Sequence, residues 1–253
     1  MALFCHAAQA VFPKIKIKGI KMDINNLNIV YEDNHIIVVV KPQNVLSQSD
    51  ETGDGDMLSM IKEYIKQTYN KPGNVFVGLV HRLDRPTGGL MVFAKTSKAA
   101  KRLSEALREK TFKKKYFAVV ENPVKQSHRR LEDYLIKDEK TNLVRLCPQT
   151  ETGARLAILD YSLVQTVEEL SLLKVQIHTG RSHQIRVQLS NIKNPLYGDF
   201  KYGAKRSEKT SNLALWAYKL EFMHPVNKTV MKFTSLPPQE EKPWNLFNLE
   251  RNI

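Results

Sequence analysis

The chain is predicted to fold as an α+β domain on a largely antiparallel sheet, and three observations carry that expectation. Short apolar or alternating segments recur along most of the 253 residues, in runs and not in strict strand–helix–strand alternation. Only a few stretches, after Asp56, after Thr96 and near Arg181, carry helix signals. Hydrophobic residues make up 42% of the chain, enough for one sizeable core.

The elements follow in order. Asn28-Ile29-Val30-Tyr31 and Ile36-Ile37-Val38-Val39-Val40 flank Asp33-Asn34 and read as a hairpin, with Lys41-Pro42 ending its second strand. Gly53-Asp54-Gly55-Asp56 reads as a turn, and Asp56 caps a helix whose apolar face is Leu58, Ile61, Tyr64 and Ile65. The apolar runs Val75–Val80 and Leu90–Ala94 are expected as strands on either side of a polar loop. Thr96 or Ser97 caps a second helix; Ala99, Leu103, Ala106 and Leu107 share one side, while Lys98, Lys101, Arg102 and Arg108 point elsewhere. Lys113–Val120 reads as a strand with a basic lead-in, and further strands are expected at 131–136, 143–147, 154–165 and 171–178. A short helix is placed near Arg181, then strands at 213–223 and 228–234, before Pro237-Pro238 and a polar tail. The main domain thus spans 25–245, between an N-terminal extension (1–24), expected to be poorly ordered, and a C-terminal tail (246–253). Neither repeats nor low-complexity linkers occur.

Composition narrows the function. There are 39 Lys+Arg against 26 Asp+Glu, a net charge of +13, which suggests a polyanionic partner such as RNA or DNA, the alternative from charge alone being a basic surface with no such partner. Two cysteines, Cys5 and Cys147, cannot build a disulfide framework or a structural zinc site, which fits a reduced, cytoplasmic setting. No apolar run approaches the roughly 20 residues of a membrane span, and Met1–Lys21 lacks the basic head of a secretory signal.

Two clusters carry chemistry. His81-Arg82-Leu83-Asp84-Arg85-Pro86-Thr87-Gly88-Gly89-Leu90 sets a lone carboxylate between two expected strands and beside two arginines. Arginine neighbours favour the ionised form, and an aspartate held on a turn can act as a nucleophile. His178-Thr179-Gly180-Arg181-Ser182-His183-Gln184-Ile185-Arg186 follows the alternating run Leu173–Ile177. Arg181 falls near an expected helix N-terminus, where the dipole disfavours a cation, so a carboxylate or phosphate should hold it.

These clusters closely resemble the signature pair of the RluA-type pseudouridine synthases, H-R-L-D-x-x-[TS]-[SG]-G-L and T-G-R-x-H-Q-I-R. Asn194-Pro195-Leu196-Tyr197-Gly198-Asp199 with Tyr202-Gly203, then Leu213–Ala217 with His224-Pro225, extend the resemblance in family order from about Tyr31 to Pro237. It implies a mixed, bent sheet with a central RNA-binding cleft, flanked by helices and loops. It further implies isomerisation of uridine in rRNA or tRNA to pseudouridine, no cofactor, no metal, and RNA as partner to a cytoplasmic monomer. With some 25 residues ahead of the first hairpin, the RNA-binding domain that some relatives carry there is not expected.

Carried over position by position, Asp84 is the nucleophile, adding to C6 of the uracil or attacking C1′ of the ribose. Arg181 becomes its ion-pair partner and Tyr116, in Lys114-Lys115-Tyr116-Phe117-Ala118-Val119-Val120, the ring that stacks on the target base. Arg82 resembles the arginine that fills the space a flipped nucleotide vacates. Taken alone, a strand tyrosine is half-buried packing and an arginine a surface group; the motifs decide otherwise. Lys113, Lys114, Lys115, Lys98, Lys101, Arg102 and Arg108 offer a path for RNA, although a charge run is ordinarily a solvated face.

The chain departs from the pattern at Thr87-Gly88-Gly89, where Thr-Ser-Gly is commoner, putting loop rigidity in question. Gln188 stands where histidine is frequent, and Asn44 where the family has glycine; asparagine can adopt the left-handed conformation glycine would supply. Two other classes remain. One is a catalytically idle RNA-binding or RNA-folding protein, against which stands the presence of every reacting residue. The other is a metal-dependent phosphodiesterase using His81, Asp84, His178 and His183, which lacks tight ligand spacing.

Overall fold

The computed structural model describes residues 15–17, 20–22, 27–205 and 212–253, and its fold is α+β. Two short strands near the start, β1 (Ile15–Ile17) and β2 (Ile20–Met22), pair antiparallel with each other. The rest of the 1–24 extension lies outside the described residues.

The hairpin forms as expected: β3 (Ile29–Glu32) pairs antiparallel with β4 (Ile36–Lys41). The Asp33 carboxylate closes the turn, accepting from the N–H of His35 at 2.7 Å and of Ile36 at 2.8 Å. Helix α1 (Met57–Thr68) starts at Asp56, whose side chain accepts from Ser59 N–H, and α2 (Ser97–Arg108) starts at Thr96, which accepts from Ala99 N–H. Between the helices lie β5 (Gly78–Leu79) and β6 (Gly88–Ala94). Every residue of β6 is buried because α1 packs with Phe93 on one face and α2 with Val92 on the other. Of the run 75–80, only two residues pair, since Phe76 stays exposed and Gly78 lies close against Ala100 of α2.

The second half supplies β7 (Lys113–Glu121), β8 (His128–Asp138), β9 (Leu143–Cys147), β10 (Arg155–Val167), β11 (Leu170–Ile177), β12 (Leu215–Met223) and β13 (Val230–Thr234). The sheet runs β3-β4-β6-β12-β7-β11-β10-β8-β9, with β5 on β6 and β13 on β12. Its ladders are antiparallel except β6–β12, which is parallel at Gly88↔Trp216 and Gly89↔Ala217. There the two backbones come so close that a Cβ on Gly88 would lie 2.2 Å from the Trp216 ring and one on Gly89 2.4 Å from the Ala217 carbonyl.

Helix α3 (Gln184–Asn191) begins three residues later than expected. Arg181 therefore precedes the helix, and the dipole argument for its partner lapses. His183 adopts a left-handed conformation at φ 51°, and the turn around it is closed by the Gln184 N–H on the Arg181 carbonyl at 3.2 Å. The closing segment is not merely polar: Trp244, Phe247 and Leu249 pack with Phe117, Trp216 and Tyr218 on the back of the sheet.

Candidate active site

Asp84 sits on the loop between β5 and β6, its side chain 30% exposed, at the wall of a cleft of about 1030 Å³. The loop is held from behind. The Lys41 ammonium, fully buried, donates to the carbonyls of Pro42 (2.9 Å), Val45 (2.6 Å) and Arg85 (3.0 Å). Three acceptors match its three protons. Burial pulls the Lys41 pKa down to about 7 against the nearby Asp84 charge. The Ser47 hydroxyl donates to the Leu83 carbonyl and accepts from the Leu83 N–H, and Gln43 Nε2 donates to Pro86 and Leu213. Asn44, at φ 64°, provides the left-handed turn expected of it, and its carbonyl accepts from Arg85 Nε. Glycine at position 88 follows from packing, because Trp216 leaves no room there for a serine side chain.

The ion-pair partner of Asp84 is Arg186, not Arg181. Arg186 lies on the buried side of α3, with Nη1 3.7 Å from Asp84 Oδ2. Its Nε and Nη2 bind both oxygens of buried Asp199 at 2.7 Å each, the bidentate geometry that fixes a guanidinium plane. Tyr202 lies under it, ring centre 4.9 Å away. Burial opposes the Arg186 charge, but the Asp199 hydrogen bonds and the Asp199 and Asp84 charges outweigh it and hold its pKa above the ordinary value. Arg181 lines the same cleft but is exposed, donating from Nε to the Leu156 carbonyl at 2.9 Å. The sequence signal for Arg186 was present in the last position of the motif; what was missing was the helix register that turns it inward.

Tyr116 reaches the cleft from β7, buried among Leu173, Val175 and Ala217. Burial, then the Asp84 charge, pushes its phenol pKa up, so it stays protonated and neutral. Arg82 is exposed on the same wall, with no ion-pair partner among the described residues. The lysine run 113–115 does not act as one group. Lys114 shares the Tyr116 wall, half-buried, with Nζ 3.7 Å from where a Cβ on Gly180 would stand; burial lowers its pKa to about 8. Lys115 lies on the opposite face of the sheet, paired across to Lys219 and Gln176.

Gln184 was not singled out from sequence, yet it ties the second loop. Its Oε1 accepts from the Thr179 hydroxyl (2.8 Å) and the Arg181 N–H (3.1 Å), and its Nε2 donates to the Ile158 carbonyl (3.0 Å). The histidines are engaged elsewhere. His81 Nε2 accepts from Val92 N–H at 3.2 Å, and burial together with the Lys114 charge lowers its pKa to about 3. His178 Nε2 meets Asp160 at 2.5 Å and His183 Nδ1 meets the Tyr202 hydroxyl at 2.6 Å. Among the described residues no group of three His, Cys, Asp or Glu side chains could hold a metal ion, and no helix is long and apolar enough to cross a membrane. Gln188 is buried, with Nε2 donating to Asp133 at 2.7 Å.

Comparison with known proteins shows the family of the chain. Residues 35–191 match the family model for RNA pseudouridylate synthase. An uncharacterized RNA pseudouridine synthase of Aquifex aeolicus is 34% identical over 230 residues, 85% of this chain and 71% of that protein. The ribosomal large subunit pseudouridine synthase C of Buchnera aphidicola is 31% identical over 88% of this chain and 70% of its own length. The ribosomal large subunit pseudouridine synthase D of Yersinia pestis is 32% identical over 85% and 68%. The solved structure of human RNA pseudouridylate synthase domain containing 4 superposes with a TM-score of 0.71 at 21% identity, covering 84% of this chain and 89% of that one, which shows a shared fold.

Proposed function

The chain belongs to the RNA pseudouridylate synthase family, it isomerises uridine in RNA to pseudouridine, and we propose that Asp84 is its nucleophile. The observation that carries this is the partly exposed Asp84 carboxylate, at the wall of a large cleft, on a loop clamped from behind by Lys41 and Ser47 and paired in front with Arg186. Whether the carboxylate adds to C6 or attacks C1′, the C1′–N1 bond breaks, the uracil turns, C5 bonds to C1′, the bond to the carboxylate breaks again, the C5 proton leaves and N1 takes up a proton, so the product is an isomer of the substrate. Nothing in that sequence needs an oxidant or a metal. What the protein must supply is a held nucleophile and an oriented base.

Tyr116 is the flat surface for the unstacked uracil, and its protonated phenol is a donor at neutral pH. Arg82, exposed on the same wall, fills the gap left by the flipped nucleotide. Arg181 binds substrate as a phosphate contact. It lines the cleft, and its guanidinium makes one hydrogen bond, to the Leu156 carbonyl, and so is free to follow the RNA backbone. The names of the Buchnera and Yersinia relatives favour large-subunit ribosomal RNA over transfer RNA as the substrate. One chain completes the cleft, so the enzyme works as a monomer, and a ribosomal substrate sets it in the cytoplasm. Residues 25–245 form the catalytic domain, to which the closing segment contributes a buried edge.

Asp84→Asn is expected to reduce uridine conversion by at least about 10⁴-fold while RNA affinity stays within about twofold, because phosphate attraction does not use that anion. Retained turnover would reject Asp84. Pseudouridine mapping across all stable RNAs, with and without the gene, identifies the target.

A further inference from the structure

The face of the sheet opposite the cleft carries a second positive surface. Side chains alternate along β7: Lys114 and Tyr116 face the cleft, while Lys115 and Phe117 face away. On that back face Lys115 stands directly across from Lys219 of β12 on one side and from Gln176 of β11 on the other. Lys174, paired with Phe117, comes next along β11. Burial and then the charges of Lys115 and Lys219 pull the Lys174 pKa below its ordinary value, which places three ammoniums within one another's field.

Carboxylates border this group, and of them Glu221 feels the Lys115 charge. Glu221 pairs with Lys113 at 3.1 Å, and Arg130 on β8 is met by Glu132 and Asp160. Among the described residues, Lys115, Lys174 and Lys219 have no carboxylate within ion-pair distance. Like charges set side by side on neighbouring strands are unfavourable in the isolated chain, and a polyanion removes that cost. The lower half of this face is covered by Trp244 and Phe247, so the lysines form an open band above a packed base. The band is continuous with the cleft: Lys113 and Gln176, at the strand ends beside Lys115, line the cleft itself.

We propose that the RNA whose uridine enters the cleft continues over the ends of β7 and β11 and lays its phosphate backbone on Lys115, Lys174 and Lys219. This rests on the RNA-modifying function above and extends the footprint to a second face. A long structured RNA would use both surfaces and a short one only the cleft.

The test is the triple variant Lys115→Gln, Lys174→Gln, Lys219→Gln of the full chain. Two RNAs are used: a full-length large-subunit ribosomal transcript, and a short stem-loop cut from it around the uridine that the enzyme converts. On the long RNA, the variant should bind about tenfold more weakly at moderate salt, and the slope of log K against log salt should fall by about 2–3, one step of about 0.9 per lost phosphate contact. On the stem-loop, its affinity and kcat should equal those of the parent, which also shows that it is folded. Unchanged affinity for the long RNA, or equal loss on both RNAs, overturns the back-face contact while leaving the activity standing. Failure of the parent enzyme to convert any uridine overturns the activity, and this inference with it.

Discussion

Asp84 and Arg181 stand on two loops that face one cleft, and the loops are held in opposite ways. The Asp84 loop is locked from behind by groups that never meet the substrate: Lys41 on the Arg85 carbonyl, Ser47 on Leu83, Gln43 on Pro86, and two glycines pressed against Trp216 and Ala217. The Arg181 loop is tied at its base by Gln184, but its guanidinium makes one backbone contact and stays exposed. The difference separates two demands. A nucleophile must be held close to its target carbon before the substrate arrives, whereas a phosphate ligand gains from reach. Rigidity is therefore spent on the carboxylate and freedom is left to the cation.

The largest effect should come from the residue that bridges the two loops. Arg186→Gln leaves buried Asp199 without its bidentate partner and Asp84 without its facing charge. Breaking such a buried pair costs about 3–5 kcal/mol, a fall in Tm of roughly 10–15 °C, with conversion lost as well. Normal thermal stability in this variant would show that the Arg186–Asp199 pair does not organise the site. Lys41→Met comes next. It removes three hydrogen bonds to carbonyls beneath the Asp84 loop and is expected to cost about 3 kcal/mol by calorimetry. It should lower kcat more than it raises KM, because the loop holding the nucleophile loosens. A change confined to KM would contradict that account.

Arg181→Gln is the counterpart on the other loop. Stability should stay within about 0.5 kcal/mol, as for an exposed side chain, while RNA affinity falls several-fold and the salt slope drops by about one phosphate's worth, roughly 0.7–0.9. If this variant melted as early as Arg186→Gln, the contrast between the loops would be wrong.

Much of this was legible in the chain. The Asp33 turn, the Asp56 and Thr96 caps and strand Leu143–Cys147 follow from local chemistry and stand where the sequence places them. Asp84 and Tyr116 reach the same cleft because the motifs that mark them are short and continuous. What could not be read was direction. Nothing local says that α3 starts at Gln184 and not at Arg181, yet that shift decides which arginine faces Asp84. The lysine run 113–115 reads as one basic patch, and only strand pairing divides it between two faces. Trp244 and Phe247 look like parts of a polar tail until the Phe117–Tyr218 stack gives them a surface to cover.

The finest test of the comparison lies between the two loops, at Lys114. Its ammonium reaches towards Gly180 from the Tyr116 wall, and burial lowers its pKa to about 8 from an ordinary 10.5. The sign follows from the direction of the shift. In the fold the charge is present below about 8 and is lost above it, while the unfolded chain keeps it to about 10.4. Between those values folding releases a proton, so this group's contribution to stability rises with pH. RNA affinity moves the other way, because the discharged amine no longer attracts phosphate. Raising the pH from 7 to 8.5 should weaken binding of the stem-loop by about threefold to fivefold, a fraction of the tenfold that 1.4 kcal/mol represents. Lys114→Arg keeps its charge throughout that range and should bind with a flat profile, measured by fluorescence anisotropy. An equal fall in Lys114→Arg would move the titration to another lysine, Lys201 in the cleft or Lys41 behind the Asp84 loop, both of which are lowered by burial. Lys114 would then be part of the wall holding Tyr116 and not a phosphate contact.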